Sequence, residues 1–267
     1  MTCRVSANLI TLNEERNIAG CLESLRWADE IVVIDGGSSD RTVEIARRFT
    51  NCVSVVAFDD YASQRNRAIE RSSGDWIFSL DADERVPPRL AREVRDATRD
   101  ARCRGFWVPI HSHIFGRRFR YSGTQGERKM RLFRRDAGRW RGVVHEIVVL
   151  DGAIGSLRHA IEHASTPDLE SYFRKLVRYS SLEADRLVAA GWTPSLWRAS
   201  LASAWTFAKL YFAKLGMLDG PEGLRFCALS AWGTWVAHHK LRERHRANRG
   251  AESFDKEVAD ERALVVA

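Results

Sequence analysis

The sequence predicts an α/β protein: a doubly wound, mostly parallel sheet followed by a helical extension. Three observations carry that reading. Strand-like and helix-like segments alternate through the first hundred residues. The run Ile31-Val32-Val33-Ile34 is apolar without interruption, as in a strand covered on both faces. After Thr166 the apolar spacing becomes helical and stays so.

Val5–Thr11 reads as the first strand and stops at Asn13-Glu14, and Ile18, Cys21, Leu22 and Leu25 give 17–25 a helical stripe. The second strand, 31–34, stops at Asp35-Gly36-Gly37. Ser38, Ser39 or Asp40 then offers an N-cap to a helix carrying Val43, Ile45, Ala46 and Phe49. Residues 53–57 form a third strand, 63–72 a helix and 76–80 a fourth strand. Residues 105–150 mix short β-rich runs with arginine and aromatic residues. Helices are expected over 169–189, 196–215 and 224–246, with a polar, frayed tail from Ala247. The expected division is an α/β domain at 1–165, with halves 1–100 and 101–165, a helical region at 166–246 and a tail at 247–267.

The 267 residues suit one large domain or a domain with an appendage, and 45% hydrophobic with 29% charged residues excludes a disordered chain. The net charge is +7, unevenly placed. Residues 1–100 carry 14 Lys and Arg against 18 Asp and Glu, whereas residues 101–150 carry 12 against 3. Ten of those twelve cations lie in Arg117-Arg118-Phe119-Arg120 and the run from Arg128 to Arg141. One basic block fits an anionic ligand or a membrane surface better than nucleic acid, whose binders spread or repeat their cations. Five scattered cysteines without a CxxC pair argue against a zinc site or disulfide framework and fit a reducing compartment. The N-terminus has no basic stretch followed by an apolar one, and the longest uncharged runs in the apolar C-terminal part, 199–208 and 226–237, are too short to span a bilayer. The expectation is a cytoplasmic protein, peripheral on the inner membrane.

In a doubly wound sheet, ligands bind beyond the carboxyl ends of the strands, so the polar residues there are the candidates. The fourth strand ends in Ser79-Leu80-Asp81-Ala82-Asp83-Glu84. In extended chain, residues two apart point the same way, so Asp81 and Asp83 can converge on one cation that completes its shell with water and phosphate oxygens. Glu84 points the other way and reads as structural. Thr11-Leu12-Asn13-Glu14-Glu15 follows the first strand, Asp35-Gly36-Gly37-Ser38-Ser39-Asp40 the second, and Ser63-Gln64-Arg65-Asn66-Arg67-Ala68 precedes the fourth. Asp40 reads as a helix cap, and Asn66 as either a turn or a packing residue.

In this order and wording, from TLNEERNIAGCLESLRWADEIVVIDGGSSDRTVEIA through ASQRNRAIE to WIFSLDADERV, the chain resembles the inverting glycosyltransferases of family 2 with the GT-A fold. More narrowly it is similar to bacterial lipopolysaccharide core β-glucosyltransferases acting on heptose. The strong likeness covers residues 5–90, and a weaker one runs through RKMRLFRRDAGRWRGVVHE to KLGMLDGPEG. The resemblance implies a hexose, expected to be glucose, moved from a nucleotide diphosphate sugar such as UDP-glucose to an anionic glycolipid, with Mg2+ or Mn2+ as cofactor. Thr11, Asn13, Glu14, Asp35, Arg65, Asp81 and Ala82 then fall in the donor-binding positions, and Asp83 and Asp81 on the metal. Gly36 stands where the family usually has a second acid. An inverting transfer needs a base for the acceptor hydroxyl. Glu146 is the candidate, with His145 as neighbour, second ligand or rival base and Glu127 as fallback. His163 is a candidate third metal ligand, and His111 and His113 are candidate cleft residues. Other acceptors for the same fold are a polyprenyl phosphate, a capsule intermediate or a peptide. A non-catalytic polysaccharide-assembly adaptor is the reading from a different class.

Trp197, Leu201, Trp205, Ala208, Phe212 and Leu215 recur at helical spacing, with Arg198 and Lys209 on nearly one face. Such a helix suits an anionic lipid surface, a second subunit in a homo-oligomer, or packing on the catalytic domain.

Overall fold

The computed structural model describes residues 3–100, 102–124, 126–142 and 146–266. The chain divides into two compact units. One comprises Met1–His113 and Gly126–Ser165, the other Ile114–Gln125 and Thr166–Ala267.

The first unit opens with β1 (Val5–Thr11), α1 (Ile18–Glu23), β2 (Glu30–Asp35), α2 (Thr42–Ala46), β3 (Val53–Val55), α3 (Tyr61–Arg71) and β4 (Trp76–Asp81). A two-residue β5 (Glu84–Arg85) and α4 (Pro88–Ala97) follow, then β6 (Gly105–Ile114). The short β7 (Arg117–Arg118) lies in the second unit, and β8 (Arg128–Arg134), β9 (Gly138–Arg141), β10 (Ile147–Leu150), β11 (Ile154–Ser156) and β12 (Ile161–Thr166) complete the strands.

The main sheet has the order β3-β2-β1-β4-β8-β6-β12-β5. β1 pairs in parallel with β2 on one side and β4 on the other, and β2 pairs in parallel with β3. The chain therefore winds outward from β1 through β2 and β3, then returns to β4. That reversal between β1 and β4 is the switch point at which such sheets open a crevice. Beyond β4 the sheet turns antiparallel: β8 pairs that way with both β4 and β6. The sheet is thus mixed, its parallel part being the half whose strands alternate with helices, since only a helical crossover returns the chain in the same direction.

Side chains two apart share a face, and the core follows that period. Val5, Ala7, Leu9, Val33, Trp76, Phe78 and Leu80 pack with Ile18, Cys21 and Leu22 of α1 and Leu90, Ala91 and Val94 of α4. The alternate residues Val32, Ile34 and Ile77 join Ala62, Ala68 and Ile69 of α3 on the other side. α4 is absent from the sequence expectation. Its signals are Pro88 at the first helical position and the Leu90/Val94 spacing.

The second unit is built on α5 (Leu169–Ala189), α6 (Leu196–Ala208) and α7 (Gly220–Val266). Asp168 and Ser195 cap the first two helices, accepting from the backbone N–H of Ser171 and Arg198. The expected helix over 196–215 ends early: α6 gives way to a π-helical turn at Lys209–Ala213, and Leu215 adopts a left-handed φ of 55°. The tail is not frayed from Ala247, because α7 continues unbroken through Val266. Lys240 of α7 donates to the Val177 carbonyl and the Ser180 and Ser181 hydroxyls of α5 at 2.8–2.9 Å. Asp219 gathers the 114–125 excursion, accepting from Arg120 N at 2.9 Å, Tyr121 N at 3.1 Å and Ser122 Oγ at 2.8 Å.

Leu9 is wholly buried in the strand on which both crossovers depend. Leu9→Ala should cost about 2–5 kcal/mol. The expected result is a lower urea midpoint for loss of near-ultraviolet dichroism, with the slope unchanged.

Candidate functional site

The parallel register sets the last residues of the central strands side by side: Thr11 lies opposite Asp35, and Ile10 opposite Asp81. The switch-point edge therefore carries the candidates from three strands.

Asp81 ends β4, and both of its oxygens are occupied. Oδ1 accepts from Arg65 Nη2 at 2.5 Å, and Oδ2 from Arg131 Nη2 at 2.6 Å. The same Arg131 nitrogen reaches Glu84 Oε1 at 2.6 Å, while Glu84 Oε2 accepts from the Asp81 backbone N–H at 2.9 Å. Arg131 and Arg65 are only 2% and 6% exposed. Burial opposes a charge on Asp81, but Arg131 and then Arg65 outweigh it and hold the carboxyl well below its usual range. Glu84 is fully buried, and burial pushes it up. Arg131 opposes that rise, and the Asp81 charge reinforces it.

Arg65 does more than bind Asp81. Its Nη1 donates to Ser79 Oγ at 3.0 Å, its guanidinium lies 4.7 Å from the centre of the Trp140 ring, and its Nε stands 3.5 Å from Glu146 Oε1. Neighbouring Asn66 fixes Trp140 through both backbone groups, donating to its carbonyl at 2.9 Å and accepting from its N–H at 3.0 Å. Asn66 is thus the bracket between α3 and β9. Glu146 precedes β10, and its side chain is 18% exposed. His145 lies outside the described residues. Glu127, the fallback base, pairs with Lys129 at 3.5 Å.

Asp83 points elsewhere. β4 stops at Asp81, Ala82 and Asp83 form a tight turn, and β5 starts at Glu84. The two-residue period holds only in extended chain, so across this turn Asp81 and Asp83 do not lie on one face of a continuous strand. Asp83 Oδ2 instead lies 3.2 Å from His163 Nε2, and the Asp83 carbonyl accepts from Ala164 N–H at 2.9 Å. Burial alone lowers His163, but the bond to Asp83 and its charge outweigh that and raise the imidazole. Among the described residues no group of three His, Cys, Asp or Glu is arranged to hold a metal. A carboxylate and an imidazole side by side do suit an ion whose remaining positions go to water and phosphate.

The first two loops are tied to each other. Asp35, fully buried, accepts from Gly37 N at 2.9 Å, Ser38 N at 2.7 Å and Ser38 Oγ at 2.5 Å, so its carboxylate organises its own turn. Asn13 takes a left-handed φ of 55°, donates its N–H to Ser38 Oγ and accepts from Ser39 N–H, both at 2.8 Å. Glu14 donates its N–H to Thr42 Oγ1 and accepts from Asn17 Nδ2, also at 2.8 Å. Asp40 accepts from Thr42 N–H at 2.9 Å and serves the start of α2. The buried Thr11 hydroxyl has no hydrogen-bond partner among the described residues. Ala82 is buried behind the turn.

Arg131 and Trp140 are the site residues that sequence reasoning missed. The signal for Arg131 is a charge inside Met130-Arg131-Leu132-Phe133, since a cation in a buried strand needs an anionic partner. Of the basic block, Arg117, Arg118, Arg120, Arg128, Arg135, Arg139 and Arg141 are exposed. Arg131 is buried here, Arg135 donates to the Gly74 carbonyl, Arg134 pairs with Asp136, and Arg117, Arg118 and Arg120 belong to the other unit. His111 and His113 both meet Glu162, at 3.0 and 2.5 Å.

Residues 6–158 match the family described as Glycosyl transferase family 2. The chain belongs to that family. It is 31% identical, over 90% of its length and 93% of the relative's, to the lipopolysaccharide core biosynthesis glycosyltransferase LpsC of Rhizobium meliloti. It is 26% identical to an uncharacterized glycosyltransferase of Rickettsia typhi, over 94% of this chain and 91% of that one. Among solved structures, a mannosyltransferase from Pyrobaculum calidifontis in complex with GDP-Man and Mn2+ superposes with a TM-score of 0.51. It covers 90% of this chain and 87% of its own at 18% identity, a likeness of fold. The protein is a family 2 glycosyltransferase with the GT-A architecture.

Two outcomes follow for this glycosyltransferase. Arg131→Met leaves the buried Asp81 and Glu84 one cation short and should cost about 3–5 kcal/mol in urea unfolding. Because Asp81 is held below its ordinary value of 3.8, its contribution is full above that pH and is lost as pH falls from there through the depressed folded value. Asp81→Asn should therefore show a flatter stability curve than the parent below about pH 4.

Proposed function

We propose that this glycosyltransferase moves glucose, with inversion, from UDP-glucose to a hydroxyl of a lipopolysaccharide core glycan. The observation that carries the reaction class is Arg65 of α3, which holds Asp81 at the end of β4 and stands beside Glu146, the residue before β10. The substrate class is supported by likeness over nine-tenths of the chain to a relative named for lipopolysaccharide core biosynthesis. The donor would enter at the switch-point edge, where the Thr11 hydroxyl and the loops of Asn13, Glu14 and Asp35 meet the end of β4. Arg65, bound to Asp81 and beside Glu146, is the guanidinium group at that end that suits a diphosphate, with Arg131 buried behind it.

Asp83 and His163 are the residues that would hold Mg2+ or Mn2+. The ion would act there as a Lewis acid toward the departing diphosphate. Asp81, saturated by two arginines, has the task of orienting them. Glu146 accepts the proton of the acceptor hydroxyl as that oxygen bonds to the anomeric carbon. The carbon–oxygen bond to the diphosphate breaks on the opposite side, and the nucleoside diphosphate leaves with that electron pair. A single displacement of this kind inverts the anomeric centre. The acceptor is an anionic glycolipid, which places the enzyme on the cytoplasmic side of the inner membrane.

The test is a panel of nucleotide sugars with purified core glycolipid, and Mg2+ or Mn2+ present or chelated. Turnover with UDP-glucose and loss of it on chelation are expected. Glu146→Gln should lower kcat by about 10²–10⁴-fold while donor binding persists, and Asp83→Asn should raise the metal concentration needed. Turnover unchanged by both substitutions would sink the assignment. Transfer only to a polyprenyl phosphate or a peptide would redirect the acceptor and leave the reaction class standing.

A further inference from the structure

The catalytic reading leaves one feature of the second unit unused. Trp197, Leu201 and Trp205 lie four residues apart on α6 and are 72%, 51% and 70% exposed. Successive residues at that spacing share one face of a helix. Phe212, in the π-helical turn, is 57% exposed, and Leu215, Met217 and Leu218 continue the apolar surface. Tryptophan exposed twice on one face of a helix is an unpartnered apolar surface of the kind that marks a binding site.

Charge identifies what covers it. From Arg186 to Leu218 the sequence contains no Asp or Glu, while Arg198, Lys209 and Lys214 punctuate α6 and the turn after it and are all exposed. At about 100° per residue, Arg198 and Lys209 fall on one edge of the tryptophan face. A second copy of the chain pairing through this face would set those cations against their own counterparts, with no acid in the segment to answer them. A bilayer containing anionic lipid supplies both needs: negative headgroups for the basic edge, and an interfacial layer in which tryptophan is favoured. None of the helices among the described residues is long and apolar enough to cross a membrane. The segment's place is therefore in the plane of the surface, apolar face down.

We propose that α6 and the turn that follows it form a membrane-docking surface for anionic phospholipid. Trp197, Leu201, Trp205 and Phe212 enter the interface, and Arg198, Lys209 and Lys214 meet the headgroups. The proposal stands apart from the transfer reaction, since lipid binding is measured without donor or acceptor.

The test is co-sedimentation of the full-length protein with phosphatidylcholine vesicles, with and without about 30% phosphatidylglycerol. The parent should bind the anionic vesicles and release as salt rises. Trp197→Ser/Trp205→Ser should lower the partition coefficient by roughly tenfold or more. Arg198→Glu/Lys209→Glu changes only exposed charges, and it should weaken binding to anionic vesicles while leaving neutral ones unaffected. Helical circular dichroism and the thermal shift with nucleotide sugar report that each variant is folded. No binding by the parent, or equal binding by folded variants, overturns the proposal. So does a dimer in light scattering that the tryptophan variant splits, because the face then belongs to a second copy. Lipid binding without any transferase turnover would leave this surface standing and remove only the catalytic reading.

Discussion

One carboxylate between two buried guanidinium groups organises the catalytic unit. Arginine does not lose its proton in a protein, so Arg65 and Arg131, almost without solvent contact, must each face an anion. Asp81 supplies one oxygen to each. The geometry ties α3 to β4 through Arg65 and β8 to β4 through Arg131, across the boundary where the sheet changes from parallel to antiparallel. Glu84 adds a second acid on Arg131 and returns a hydrogen bond to the Asp81 backbone. Desolvating so many charges brings little net stability. What it provides is placement: each group's position is set by a partner on another element.

That placement reaches the candidate base. Arg65 stacks against Trp140, Trp140 is clamped at both backbone groups by Asn66, and β9, which carries Trp140, pairs with β10 directly after Glu146. Two successive residues of α3 therefore set the ribbon from which Glu146 projects. Hydrogen bonds between the loops after β1 and β2 do the same for the other side of the cleft. Asn13, Ser38, Ser39 and Thr42 bond across them, so neither loop is free to move alone.

The parallel half of the fold was legible because its physics is local. A strand covered by helices on both faces must be apolar throughout, and Ile31–Ile34 is; the strand ends are marked by Asp35-Gly36-Gly37 and Asp81-Ala82-Asp83. The edge on which Thr11, Asp35 and Asp81 gather follows from the winding rule alone. The antiparallel half was less legible because its pairs are distant: Arg131 lies 50 residues from Asp81, and no local pattern names its partner. Asp35 shows another limit. Its side chain bonds to residues two and three further on, a use that composition does not distinguish from reaching a ligand. One member of the basic block was illegible for a similar reason. Linear density of arginine does not say which guanidinium group turns inward to a carboxylate, and Arg131 does.

The pair Asp81 and Asp83 shows how a short motif divides its labour. Were the strand to continue, both acids would share a face and converge on one ion. The chain turns instead at Ala82, whose small side chain is buried behind the corner. One acid is left inside the sheet's ion network, and the other is carried across to His163 on β12. β5 then pairs with β12 so that Glu84 lies opposite His163, which locks the turn from its far side. The spacing of one residue between the two aspartates therefore measures a turn, with the inner acid positioning arginines and the outer one presented beside an imidazole.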